Sequence, residues 1–93
     1  MERTINRITL VGFVGRDPQE DGGEVNFSVA TERGEEGNDW HFVRAAADAV
    51  EGVKTGLRVF IEGAVEYHTR EWEGGIQVPH PEVVAHRIVV LGG

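Results

Sequence analysis

Cysteine is absent from this chain of 93 residues. That removes any disulfide framework and any thiolate chemistry, and it is compatible with a reducing compartment. No apolar run approaches the roughly 20 residues needed to span a bilayer. The opening Met1-Glu2-Arg3-Thr4-Ile5-Asn6-Arg7 lacks the apolar core of a signal peptide. Catalytic signatures are missing as well: there is no Gly-x-Ser-x-Gly, no Walker-type loop and no His-Glu-x-x-His. Gly12-x-x-Gly15 is too short for a phosphate loop and reads more simply as a bend. His41, His68, His80 and His86 lie on different segments without the paired spacing of zinc motifs. Glu71 and Glu73 share a strand face but read as solvated surface. No enzyme, metal site or cofactor is expected. With no internal repeat, low-complexity tract or linker, residues 1–93 are expected to form one domain.

Positive charge is scarce. Nine basic residues against sixteen acidic ones give a formal net charge of −7, which argues against nucleic-acid binding through the overall field. The acidic residues gather at Asp17–Glu24 and Glu32–Asp39, both read as loops. Arg44, Arg58 and Arg70 fall inside or beside strand-like segments, so a local basic groove is compatible with the negative total.

What is present is glycine, 13 residues of it, between short β-branched runs. That combination favours an all-β domain with tight turns. Ile5–Gly15 reads as a first strand with Ile8, Leu10 and Val14 on one parity, and Gly12 and Gly15 suggest bulges in it. Asp21-Gly22-Gly23 is a turn. Val25, Phe27 and Val29 then alternate with polar or small residues in a second strand, expected to pair with the first as a hairpin. Ala45–Glu51 is alanine-rich and favours a short helix that Gly52 stops. Leu57–Val65 is a fourth strand with Leu57, Val59 and Ile61 inward and Arg58, Phe60 and Glu62 outward. A hairpin arm follows, with its tip at Glu73-Gly74-Gly75 and a return interrupted by Pro79 and Pro81. Val83–Leu91 is the last strand. Five strands with one short helix between the third and fourth is the element order of an OB-fold, a small Greek-key barrel that commonly binds oligonucleotides.

The third strand, Asn38–Ala47, is the centre of the functional reading. Trp40, Phe42 and Arg44 share one parity; His41, Val43 and Ala45 share the other. Bases stack on aromatic rings and phosphates attract arginine. A half-buried strand whose two aromatics cover the core explains the same alternation. For Phe42 and Phe60, packing against the helix or between subunits stands beside a place in the groove.

Several stretches together resemble the bacterial single-stranded DNA-binding proteins. They are Asn6-Arg7-Ile8-Thr9-Leu10-Val11-Gly12 with Gly15-Arg16-Asp17-Pro18, Asn26-Phe27-Ser28-Val29-Ala30-Thr31, Asp39-Trp40-His41, Val59-Phe60-Ile61-Glu62-Gly63, and Thr69-Arg70-Glu71-Trp72-Glu73. They occur in the family's order across nearly the whole chain. The resemblance implies an OB-fold that wraps single strands with little sequence preference, in replication, recombination or repair. It further implies a cytoplasmic, nucleoid-associated homo-oligomer, usually a tetramer. It puts Trp40 and Trp72 on the stacking surface, Arg7 and Arg70 near phosphates, and His41 near a subunit contact. With the parity argument, the expected nucleic-acid surface is Arg7, Trp40, Phe42, Arg44, Arg58, Phe60, Arg70 and Trp72.

Five departures accompany the resemblance, one of them an arm from Gly63 to Trp72 about two residues longer than in many relatives. Ala46 stands where the family usually has a stacking phenylalanine, and Asp48 replaces a basic residue. The loop after the second strand is short and lacks a tryptophan some relatives carry. The sequence ends at Gly92-Gly93, where the family continues into an acidic tail that recruits replication and repair proteins, so recruitment through such a tail is not expected of these residues. Two functions follow: single-stranded DNA binding weaker than the family norm, or a diverged OB-domain serving oligomerisation or protein interaction.

Overall fold

Alternation of branched apolar with polar residues is realised as a sheet rolled on itself. The computed structural model describes residues 3–93; of the N-terminal stretch, Met1 and Glu2 lie outside the described residues. Six strands run in chain order: β1 (Ile8–Val14), β2 (Gln19–Asp21), β3 (Glu24–Glu32), β4 (Asn38–Ala46), β5 (Arg58–Glu71) and β6 (Gln77–Gly92). Neighbours follow the order β1-β5-β6-β4-β3-β2, and a further β1–β3 pairing closes β1, β5, β6, β4 and β3 into a ring. All pairings are antiparallel except β4 with β6, which touch in parallel over Val43–Arg44 and Val83–Val84. A five-stranded closed ring with this connectivity is the OB-fold barrel expected from the element order.

The inward parity fills the ring. Leu10, Val14, Phe27, Val29, Val43, Val59, Ile61 and Val83 form the core, and Val53 closes it from the turn after β4 with Ala49 and Val50 packed against it. Burying these side chains supplies the main stabilisation, about 1.5–3 kcal/mol for each large one. The β1, β4 and β5 parities read from sequence match the observed burial.

Four local expectations change. The helix over Ala45–Glu51 is instead a single 3-10 turn, Ala47–Val50. Ala45 and Ala46 stay in β4, paired with Val25 and Glu24. Alanine's helix preference is a few tenths of a kcal/mol per residue, and sheet pairing overrides it. Secondly, β3 makes its hairpin with β2, a short strand inside the acidic stretch read as a loop, and its ladder with β1 is limited to Phe13 and Val14. Thirdly, β6 runs unbroken through Pro79 and Pro81. These residues oppose Thr69 and Tyr67 in a two-stranded arm, and the parallel contact with β4 starts only at Val83. A strand without a partner on one side accommodates residues that lack an N–H.

Fourthly, Gly12 sits in continuous register with β5 and no bulge occurs there. A Cβ on it would overlap the Ala30 carbonyl oxygen and stand 2.8 Å from Val29 Cγ1. Gly12 is thus the point where β1 crosses from β5 to β3, and only hydrogen fits between the backbones. The irregularities lie in β6 instead, opposite Arg58/Val59 and opposite Glu62/Gly63, where the register skips one residue each time. Before β1, Asn6 behaves like an extra rung: its Nδ2 donates to the Val65 carbonyl (2.7 Å) and its Oδ1 accepts from the Val65 N–H (2.9 Å).

Candidate nucleic-acid interface

The outer face of β3 and β4 carries the aromatic pair. Trp40, Phe42 and Arg44 lie opposite Ala30, Ser28 and Asn26. Small partners leave the rings uncovered: Trp40 is 53% exposed and Phe42 50%. These are too exposed to serve as lids on the core, which decides against the packing explanation for this parity. Trp40 lies against Gly15 at the end of β1, where a Cβ would overlap its ring. Arg16 joins Gly15, Ser28, Trp40 and Phe42 around an apolar hollow. Phe42 also meets His80 of β6, ring centroids 5.2 Å apart and tilted by 42°. The hollow continues past Phe42 into a polar cleft of about 350 Å³ that includes Asn26, Arg44, Arg70, His80 and Glu82. The surface is therefore an open groove with two rings in its floor.

The charge along this groove is uneven. Arg44 is held by three carboxylates. Its Nη2 donates to Glu66 Oε1 at 3.0 Å, Nη1 lies 3.2 Å from Glu82 Oε1, and Nε lies 3.5 Å from Glu24 Oε2. Nε is buried without a hydrogen-bond acceptor. His68 Nε2 approaches two of the same carboxylates, 3.3 Å from Glu66 and 3.5 Å from Glu82. Arg44 is thus engaged by the cluster: three acidic neighbours surround the guanidinium that was expected to meet a phosphate. Arg33 is likewise paired, with Asp39, which raises its pKa. Arg87 pairs with Glu62. Arg7, Arg16, Arg58 and Arg70 make no ion pair with a carboxylate among the described residues.

The remaining expected residues are dispersed. Arg70 lines the polar end of the groove from the β5–β6 arm. Trp72 sits at the arm's tip beyond the last rung, Glu71–Gln77, and is 66% exposed. Phe42–His80 is the one aromatic ring pair among the described residues, so Trp40 and Trp72 do not stack on one another. Phe60 and Arg58 belong to the outer face of β1, β5 and β6. There Phe60 lies between Val11 and Val89, with the Arg87 guanidinium 5.8 Å from its centroid. Arg7 borders a shallow polar cleft with Glu62, His86 and Arg87 on that same side. His41 takes the inward parity at the barrel mouth, its Nε2 2.8 Å from Thr31 Oγ1.

Sequence reasoning missed Arg16, Ser28 and His80. Each reaches the groove only through the sheet order. Arg16 gave one signal, its place in the Gly15-Arg16-Asp17-Pro18 run that carries the resemblance.

Comparison with known proteins agrees with this architecture. The model of one family, the single-strand binding protein family, matches residues 5–91. A single-stranded DNA-binding protein of Xanthomonas campestris is 30% identical over 110 aligned positions, covering 100% of this chain and 64% of the relative. The chain thus spans less than two thirds of that bacterial protein's length. A mitochondrial single-stranded DNA-binding protein of Drosophila melanogaster is 32% identical, covering 96% of this chain and 73% of the relative. Among solved structures, the mitochondrial single-stranded DNA binding protein of S. cerevisiae superposes with a TM-score of 0.79 at 18% identity, covering 98% of this chain and 99% of that one. A Plasmodium falciparum protein solved in complex with single-stranded DNA gives 0.78 at 22% identity, covering 98% of both chains. On the family match, which takes in the barrel, the groove strands and the arm, this chain belongs to the single-strand binding protein family.

Proposed function

We propose that this protein binds single-stranded DNA with little sequence preference, along the groove floored by Trp40 and Phe42. The observation that carries the reading is two half-exposed rings on a floor of small residues, beside Arg16 and Arg70, which make no ion pair among the described residues. Unpaired bases offer π-faces of any sequence to such rings, each stack contributing about 1–3 kcal/mol, while the arginines meet the backbone. Trp72 extends the surface along the arm, and Arg7 and Arg58 serve a strand that wraps toward β1 and β5. Replication, recombination and repair are the processes that expose such strands, and binding there places the protein on the nucleoid. The reading gives the chain no catalytic step.

Self-association belongs to the same proposal. The outer face of β1, β5 and β6 presents Val11, Phe60 and Val89 side by side in register, with Phe13 two residues further along β1 opposite Arg58. A second copy is the occupant we assign to it, and a homotetramer or dimer is the expected assembly. In this reading the subunit contact moves from His41, already bonded to Thr31, to that face.

Fluorescence anisotropy of a labelled oligo-dT, titrated at several salt concentrations, tests the proposal. The expected result is saturable binding whose logarithm falls with log salt by about 0.7 per phosphate engaged. Trp40→Ala is expected to lower affinity by about tenfold. One observation favours a second reading, an oligomerisation or interaction module with weak DNA binding: the three carboxylates around Arg44. An oligomer with no anisotropy change at low salt would decide for it.

A further inference from the structure

Gly15 is not required by its backbone. Nine glycines have positive φ, and Gly15 is not among them. Its place therefore accepts any L-residue conformationally, and the reason for glycine is space. A Cβ there would overlap Cζ3 of Trp40, stand 2.7 Å from Cη2 and lie 3.2 Å from Ser28 Oγ. The backbone beneath is fixed. Gly15 N–H donates to the Ser28 carbonyl at 2.9 Å, Val14 N–H to the Leu57 carbonyl at 2.9 Å, and Gly56 N–H to the Val14 carbonyl at 2.8 Å. The end of β1 is thus tied on both sides and cannot retreat from an added methyl. The side chain must give way, and the atoms that meet the methyl are at the free end of the indole.

We infer that Gly15 is the positioning residue for Trp40: its bare Cα is the seat that holds the indole plane against the β1–β3 junction and leaves the ring's other face open to a base. The DNA consequence rests on the proposed function; the seat itself does not. Without the seat, the indole swings off β1 toward the hollow it shares with Arg16 and Phe42, and the stacking face is no longer prepared before the strand arrives. Prepaid ordering of a contact side chain is a recognised part of affinity.

The test is a double-mutant cycle between Gly15→Ala and Trp40→Phe. A phenylalanine at position 40 still offers a ring but lacks the distal atoms that the methyl would meet. Emission is followed in a Trp72→Phe background, where Trp40 is the remaining tryptophan. Gly15→Ala is expected to change Trp40 emission in the free protein and to weaken oligo-dT binding by about tenfold, the order of one stacked base. In the Trp40→Phe background the same change is expected to alter affinity by less than about twofold. Should Gly15→Ala fail to fold, the seat predicts that adding Trp40→Phe restores folding. Two results overturn the inference: unchanged emission and affinity in Gly15→Ala, or an equal loss of binding or folding in both backgrounds. If the parent protein does not bind oligo-dT at all, the functional reading falls, and the emission change decides the seat alone.

Discussion

Three carboxylates on three strands converge on Arg44, and together they leave the polar end of the groove with an excess of negative charge. A phosphate approaching Arg70 in the same cleft meets Glu24 and Glu82 on the way. Glu82→Gln is therefore expected to raise oligo-dT affinity by about two- to fivefold at low salt, since partly exposed charge pairs are worth about 0.2–1 kcal/mol. Arg44 keeps Glu24 and Glu66, so the thermal midpoint should shift little. Lower affinity in the anisotropy titration would mean that the cluster presents Arg44 to the DNA. This residue marks a boundary of what sequence can tell. The alternation that put Trp40, Phe42 and Arg44 on one outer face was legible, because side-chain parity is a local property. That Glu24, Glu66 and Glu82 would surround Arg44 was not, because they lie 20, 22 and 38 positions away on three other strands. Phe60 and Arg58 share the lesson from the other direction: outward parity was correct, but outward from a barrel points many ways.

At the scale of elements, the joins between strands carry as much specification as the strands. Asp17, just after β1, accepts the Thr55 backbone N–H (2.8 Å) and the Thr55 hydroxyl (2.7 Å) from the turn leading into β5. The backbone bond, then the hydroxyl bond, hold the Asp17 carboxyl below its ordinary range. A carboxylate with a lowered folded pKa stabilises the fold above its unfolded value of about 3.9, and that contribution disappears as pH falls through the lower folded value. Asp17→Asn is thus expected to melt below the parent at pH 7, with the gap closing under about pH 4. A gap that persists unchanged at pH 2.5 in a thermal-melt series would contradict it. Asp17 entered the sequence reading only within the Gly15-Arg16-Asp17-Pro18 run; its pairing with Thr55 across 38 residues is a product of barrel closure. Sheet pairing likewise kept Ala45 and Ala46 in β4, and the one-sided arm let Pro79 and Pro81 remain in β6. Local preference was clear in both places, but the sheet outweighed it.

On the proposed function, the outer surface of the molecule is divided between two tasks. The β3–β4 side, with the arm, offers rings and arginines that make no ion pair among the described residues; the β1–β5–β6 side offers Val11, Phe60 and Val89 in a row, flanked by Arg58 and by the Glu62–Arg87 pair. Such an exposed apolar row is the surface that the proposed self-association would cover. Val11→Glu with Phe13→Glu, half-exposed positions that should fold without difficulty, is expected to yield a monomer by sedimentation equilibrium where the parent is an oligomer. A parent that sediments as a monomer removes this part of the account. The element order sufficed for the fold because an OB-barrel is defined by its strands and their sequence, and these are spelled out by glycine and β-branched residues.

The central claim is that Trp40 on β4 receives the bases. Tryptophan emission titrated with oligo-dT at low salt, in the two single-tryptophan variants Trp72→Phe and Trp40→Phe, tests it most directly. The account predicts saturable quenching of Trp40 in the Trp72→Phe protein. Unchanged Trp40 emission while the oligonucleotide is bound, or no binding at micromolar protein, would contradict it.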